Sequence, residues 1–207
     1  MTPENLTKET IAESLFKIGA LKFGKFTLAS GRTSSYYLDL RIIPSFPELY
    51  ALALSAYKGM AEGIGVSTFD SIAGVATAGI AFSSPLAYLL RKPMVYVRKV
   101  EKGHGLGKAV EGSLSPGNRV LVIDDLVTSG GSIISAVEPL RKAGCVVSDA
   151  AVLVDRLEGA KSNLATAGVR LSAFAEIMEL VEILHSNGSM TKEAYEAVAK
   201  QVQSGTS

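Results

Sequence analysis

Val120-Leu121-Val122-Ile123-Asp124-Asp125-Leu126-Val127-Thr128-Ser129-Gly130-Gly131-Ser132 is the stretch that decides the fold. Four apolar residues, three of them β-branched, read as a fully buried strand. They end in two adjacent carboxylates and a small, hydroxyl- and glycine-rich turn. Ile133, Ile134, Val137 and Leu140 then recur at helical spacing. The backbone N–H groups of Thr128 to Ser132 therefore fall at a helix N-terminus, where unpaired donors and the helix dipole favour a phosphate. The turn has no lysine, which separates it from the nucleoside triphosphate P-loop, and no Gly-x-Gly-x-x-Gly series, which separates it from the dinucleotide fingerprint. Two carboxylates beside such a cradle suit the vicinal hydroxyls of a ribose, held directly or through a divalent metal. An ordinary strand-turn-helix with two solvated aspartates has the same pattern.

Outward from this stretch, strands alternate with helices. Downstream, Val146 to Val154 is an apolar strand ending in Asp155-Arg156, and Val169 to Phe174 is a last strand before helices near Glu176–His185 and Thr191–Gln203. Arg156 either forks to a carboxylate on a ligand or pairs with a neighbouring acid. His185 stands at the end of its helix, a place that suits its charge without catalysis. Upstream, Pro93 to Val97 is a strand leading into Arg98-Lys99-Val100-Glu101-Lys102-Gly103-His104-Gly105-Leu106-Gly107-Lys108. Six basic residues and one acidic residue lie between Arg91 and Lys108, with glycines that prevent a stable helix. This is a cationic loop. It is either simply solvated or anion-binding, and it lacks the aromatics that would stack nucleic-acid bases. Phe69 to Val75 is a strand followed by Gly74-Val75-Ala76-Thr77-Ala78-Gly79, which reads equally as a plain turn or as a second phosphate-sized loop. Ahead of it come a helix near Glu48–Glu62, short strands with a turn over Leu21–Leu40, and a first helix carrying Ile11, Leu15 and Ile18 that Gly19 ends. The architecture implied is α/β, a parallel-rich central sheet flanked by helices, with ligands expected beyond the strand carboxyl ends.

Composition agrees with one domain over residues 1–207. The chain is 47% hydrophobic with a formal net charge of +1, so neither nucleic acid nor membrane is an expected partner. The single cysteine, Cys145, reads as a buried structural thiol and excludes an internal disulfide framework. Residues 1–19 lack a signal-peptide core and no apolar run has spanning length, so a cytoplasmic enzyme is expected.

The opening stretch resembles the phosphoribosyl pyrophosphate (PRPP) motif of the type I phosphoribosyltransferases: an apolar strand, Asp-Asp, two residues, then Thr-Ser-Gly-Gly-Ser. Residues 21–37, Leu-Lys-Phe-Gly-Lys-Phe-Thr-Leu-Ala-Ser-Gly-Arg-Thr-Ser-Ser-Tyr-Tyr, are similar to the N-terminal hood of orotate phosphoribosyltransferases. The Arg98-Lys-x-x-Lys-x-His-Gly run is similar to their catalytic loop. The resemblance implies a type I phosphoribosyltransferase fold, with a hood mainly from residues 1–40 on a core of about 41–207, and formation of orotidine 5'-monophosphate and pyrophosphate from PRPP and orotate in pyrimidine biosynthesis.

It also implies roles. Arg98, Lys99, Lys102, His104, Asp124, Asp125, Leu126, Val127, Thr128, Ser129, Gly130, Gly131 and Ser132 would bind PRPP together with Ala76 and Thr77. Lys99, Lys102, His104, Asp124 and Asp125 would be catalytic. Thr128, Arg156, Tyr36 and Tyr37 would take orotate. Mg2+ would meet Asp124 and Asp125 largely through substrate, and a homodimer would share its active sites. Bacterial members often carry lysine at the positions of Ala29 and Ala78; the alanines here are similar to the archaeal pattern. Other base phosphoribosyltransferases and a PRPP-sensing regulator on the same fold are the alternatives. The region from Leu6 to Tyr37 has no helix-turn-helix signature that a regulator would need.

Overall fold

The computed structural model describes residues 6–27, 31, 33–98 and 109–205. Helix α1 (Lys8–Lys17) starts where the Thr7 hydroxyl accepts the Thr10 amide at 3.1 Å, and Gly19, at φ +71°, turns the chain out of it. An antiparallel hairpin follows, β1 (Leu21–Thr27) and β2 (Thr33–Leu38). A short 3-10 helix over Leu40–Ser45 leads to α2 (Pro47–Ile64), which has proline in its first turn. The apolar face read from the sequence is the buried one: Leu49, Leu52, Ala53, Ala56 and Tyr57. Next come β3 (Ser71–Val75), α3 (Ala78–Leu90), β4 (Met94–Val97), β5 (Val110–Glu111), β6 (Arg119–Ile123) and β7 (Leu126–Val127). The chain finishes with α4 (Gly131–Lys142), β8 (Val146–Asp155), α5 (Ala160–Thr166), β9 (Arg170–Glu176), α6 (Ile177–Ser186) and α7 (Lys192–Gly205).

Across the main sheet the strands run β5, β4, β3, β6, β8, β9, with β7 continuing the line of β6 beside the end of β8. Every pairing in it is parallel except that of β4 with β5. Strand periodicity divides the interior into two cores. In β6, Leu121 and Ile123 face α2 and α3, while Val120 and Val122 face α4 and α5. Both faces are covered, which is why these strands read as unbroken apolar runs. The registers Gly74 to Ile123, Val75 to Val97 and Ile123 to Ala151 bring the carboxyl ends of β3, β4 and β6 level, while β8 runs on to Asp155.

Residues 1–40, expected to form most of a hood, pack against the helices at the other end of the chain. Helix α6 packs on α1, where Lys8 pairs with Glu179 at 2.5 Å and Asn187 donates to Glu13 at 2.9 Å. Helix α7 packs on β2: the Gln201 carbonyl accepts the Ser35 N–H at 2.6 Å and its hydroxyl at 2.8 Å, and the Gln201 amide donates to Ser34 Oγ at 3.0 Å. Among the described residues no helix is long and apolar enough to cross a membrane.

Candidate active site

The acidic pair stands where β6 gives out, and its backbone is held from two sides. The Asp124 N–H donates to Ala151 O at 3.2 Å and the Leu153 N–H to Asp125 O at 3.0 Å, both on β8. From α2, the fully buried Tyr57 hydroxyl donates to Asp124 O at 2.6 Å. Asp124 Oδ1 in turn accepts the Asp125 N–H at 3.0 Å. With only 6% and 9% of their surface exposed, Asp124 and Asp125 are not the solvated aspartates of an ordinary turn. Burial pushes the Asp125 carboxyl above its usual range, against the opposing pull of the Leu126 N–H, Asp124 and the charge of Arg41.

Two glycines bring α3 up to this strand end. A Cβ on Gly79 would lie 2.4 Å from Ile123 O and 3.1 Å from Asp124 Cα; one on Gly74 would lie 2.2 Å from Ser83 Oγ. Both glycines are therefore matters of close helix–strand approach, a role the reading of this segment as a turn or phosphate-sized loop did not include. Their packing sets the Ala76-Thr77-Ala78 turn beside the acidic pair, and the Ala76–Thr77 peptide is cis.

Beyond Asp125, β7 pairs with the end of β8 and the Arg156 N–H donates to Val127 O at 3.0 Å, so Arg156 arrives beside Thr128. Gly130, at φ +87°, caps α4 without a side-chain hydrogen bond, which leaves the first-turn amides pointing into the site. A cavity of about 450 Å³ results. Asp124 to Thr128, Gly130 to Ser132 and Arg156 form one wall, Val75 to Ala78 a second, and Tyr37 to Arg41 the roof.

Of the two readings of Arg156, the pair with a neighbouring acid is present, and the side chain also borders the cavity. It is 9% exposed, its Nη2 pairs with Glu158 Oε1 at 3.1 Å, its Nε donates to the Tyr36 hydroxyl at 2.9 Å, and it still lines the cavity. Its Cζ lies 4.8 Å from the Tyr36 ring centroid. Tyr36 is buried and does not line the cavity; it holds Arg156, while Tyr37 reaches the cavity itself. Burial raises the Tyr36 phenol, against the pull of Arg156.

Of the other expected site residues, Ser129 is outside the lining and its carbonyl accepts the Asn163 amide at 2.9 Å. Arg98 is exposed at the end of β4 and pairs with Glu111 at 3.0 Å, also outside the lining. Lys99, Lys102 and His104 lie outside the described residues. Asp39 and Arg41, which line the roof, went unread in the sequence. Their only signal is a polar pair breaking the apolar alternation after β2.

Among the described residues no group of three or more His, Cys, Asp or Glu side chains forms a metal cage. Two neighbouring carboxylates facing a phosphate cradle do fit Mg2+, which binds through one or two carboxylates plus substrate oxygens and keeps several waters.

This geometry has close counterparts. The Phosphoribosyl transferase domain family matches residues 53–175, a span that includes the acidic pair, the α4 cradle, the Ala76 turn and Arg156. An orotate phosphoribosyltransferase of Cenarchaeum symbiosum is 40% identical over 200 residues, covering 93% of this chain and 94% of the relative. The chain belongs to the orotate phosphoribosyltransferase family. The crystal structure of the Aeropyrum pernix member, 41% identical, superposes with a TM-score of 0.78 over 87% of this chain and 99% of that one. A Mycobacterium tuberculosis member solved in complex with PRPP is 25% identical, with a TM-score of 0.66 over 84% of this chain and 98% of that one. The archaeal leaning read from Ala29 and Ala78 agrees with these family relations.

Proposed function

We propose that the chain transfers the 5-phosphoribosyl group of PRPP to orotate, giving orotidine 5'-monophosphate and pyrophosphate in pyrimidine biosynthesis. The observation that carries this reading is the joining of the Asp124-Asp125 pair and the open α4 N-terminus to a buried arginine in one cavity. As the anomeric C–O bond to pyrophosphate breaks, positive charge builds on the ribose ring and negative charge on the leaving group, while the orotate ring nitrogen bonds to the same carbon. The catalyst has to stabilise both charges and exclude water.

The α4 amides and the Thr128–Ser132 turn bind the 5'-phosphate. Asp124 and Asp125 hold the ribose hydroxyls and favour the cationic ring. Arg156, oriented by Tyr36 and Glu158, offers its remaining N–H groups to the orotate carboxylate. The Ala76-Thr77-Ala78 turn faces the pyrophosphate, with Arg98, Lys99, Lys102 and His104 expected to cover it. Mg2+, held by Asp124 and Asp125 through substrate, would supply charge neutralisation on the phosphate oxygens. The negative charge of orotate sits on its carboxylate, so the ring nitrogen gives up its N–H proton as its bond to the anomeric carbon forms.

PRPP-dependent loss of orotate absorbance, with adenine, hypoxanthine and uracil as controls, tests the reading; turnover of a purine without turnover of orotate overturns it. The protein acts as a homodimer that shares its sites, a reading supported by Tyr88, 84% exposed, and Leu89 beside it at the end of α3. Mixing Lys102→Ala and Asp125→Asn proteins should restore partial activity, and no recovery after verified subunit exchange refutes sharing. A single buried cysteine suits a cytoplasmic setting.

A further inference from the structure

Arg41 sits on the 3-10 helix that leaves the hood hairpin and roofs the cavity. Its guanidinium is clamped by one neighbour: Nε donates to Asp39 Oδ1 at 2.7 Å and Nη2 to Asp39 Oδ2 at 2.8 Å. Asp39 also accepts the Arg41 backbone N–H at 3.1 Å, which fixes the start of the 3-10 turn. A forked arginine is a planar donor held in one orientation, and its second edge, with Nη1, stays available. The side chain keeps 65% of its surface open, yet its charge is felt at Asp125 across the cavity.

Position decides which anion it serves. The 3-10 helix packs on α3, the helix whose N-terminus carries the Ala76-Thr77-Ala78 turn. Arg156 stands on a different wall, at the end of β8, where Tyr36 and Glu158 hold it. The cavity therefore has two held guanidinium groups on different elements, Arg156 at the end of β8 and Arg41 on the 3-10 helix that packs against α3, and on the transferase reading the α3 side is the pyrophosphate side. The turn at the start of α3 itself supplies no cation, since its residues are Ala76, Thr77 and Ala78, and position 29 is also alanine.

We infer that Arg41, clamped by Asp39, binds the pyrophosphate group of PRPP and of the pyrophosphate product, providing the leaving-group cation that the Ala76-Thr77-Ala78 turn lacks. The inference rests on the transferase reading above. Asp39 is a positioning residue: its carboxylate aims the guanidinium and does not meet the substrate.

The test uses the full-length enzyme in both directions, with Arg41→Ala and Arg41→Gln. In the reverse direction, the KM for pyrophosphate should rise by about 10- to 100-fold, the loss of one or two charge-assisted hydrogen bonds, while the KM for orotidine 5'-monophosphate changes by less than about 3-fold. Forward, the affinity for PRPP measured by calorimetry should fall while the KM for orotate holds. Asp39→Asn, which keeps the side-chain shape and loses the charge, should reproduce part of the pyrophosphate effect. Because Arg41 is exposed, thermal unfolding should stay at the wild-type midpoint and separate lost contact from lost fold. Unchanged pyrophosphate affinity in Arg41→Ala overturns the inference, and so does a KM for orotate or orotidine 5'-monophosphate that rises as much as that for pyrophosphate. Failure of the wild-type protein to bind PRPP at all would instead overturn the transferase reading.

Discussion

Replacing Gly79 with alanine probes the closeness on which the cavity depends. The added methyl would lie 2.4 Å from the Ile123 carbonyl oxygen, 3.1 Å from Asp124 Cα and 3.2 Å from Asp124 Oδ1. Two of these neighbours are backbone atoms, one at the end of central strand β6 and one in the residue after it that is hydrogen-bonded to β8, so neither can swing aside. Helix α3 must retreat from β6 by about 1 Å to recover an ordinary carbon–oxygen contact. Overpacking of this kind destabilises by about 1–3 kcal/mol. The same retreat moves the Ala76-Thr77-Ala78 turn away from the acidic pair, and a misplacement of about 1 Å slows a positioned reaction by about 100-fold. Urea unfolding should show a lower midpoint with an unchanged slope, and orotate turnover at saturating PRPP should fall by about 10- to 100-fold. Gly59→Ala is the matched control. Gly59 is exposed in α2 with nothing within 4 Å of its added methyl, so that change should stabilise by about 0.5–1 kcal/mol and leave turnover intact. A Gly79→Ala protein with wild-type midpoint and turnover refutes close approach as the reason for the glycine.

Asp125→Asn should separate stability from function. Burial raises the folded pKa of Asp125, so the stability it contributes is complete below the unfolded carboxylate value and is lost as pH rises through the folded one. The variant, assayed without substrate, should therefore be more stable than wild type at pH 7, with the gap closing as pH falls through that window, while turnover drops by about 100- to 1,000-fold. A less stable variant at pH 7 refutes the sign. Arg156→Lys places a point charge where a planar fork also served Tyr36 and Glu158; the orotate KM should rise by about 10- to 100-fold with PRPP affinity held, as steady-state kinetics and calorimetry can check. Gln201→Ala removes the acceptor of the Ser35 N–H and should loosen the hairpin by about 1–3 kcal/mol, read as faster amide exchange in β2 with no change in β6.

What was legible in the sequence follows from range. The strand from Val120 to Ile123, the apolar faces of α1 and α2 and the α4 cradle depend on local periodicity and turn chemistry, and the structure has them where the residues say. The joining of α7 to the hairpin through Gln201 was not legible, because a hydrogen bond between residues 166 positions apart leaves no local mark. Tyr36 and Tyr37 are adjacent in a strand, so they must point to opposite sides. The resemblance gave both to orotate; in the structure Tyr36 is buried under Arg156 and Tyr37 lines the cavity. Gly74 and Gly79 looked like loop residues because Gly-x-x-x-x-Gly carries no record of what the helix behind it must approach.

The two guanidinium groups of the cavity share a design that bears on catalysis. Each is already paired with a carboxylate on its own segment, Arg41 with Asp39 and Arg156 with Glu158. With its own carboxylate beside it, neither stands as an uncompensated charge, which would be costly at the nearly buried Arg156. Neither is neutralised geometrically, since a guanidinium bound along one edge keeps donors on the other. An arriving anion therefore finds donors whose direction is set before it binds, and little rotamer entropy remains to be lost. Lysines in the same places would carry the charge without the direction. A chain with alanine at positions 29 and 78 can thus recover fixed positive charge from arginines elsewhere on the rim.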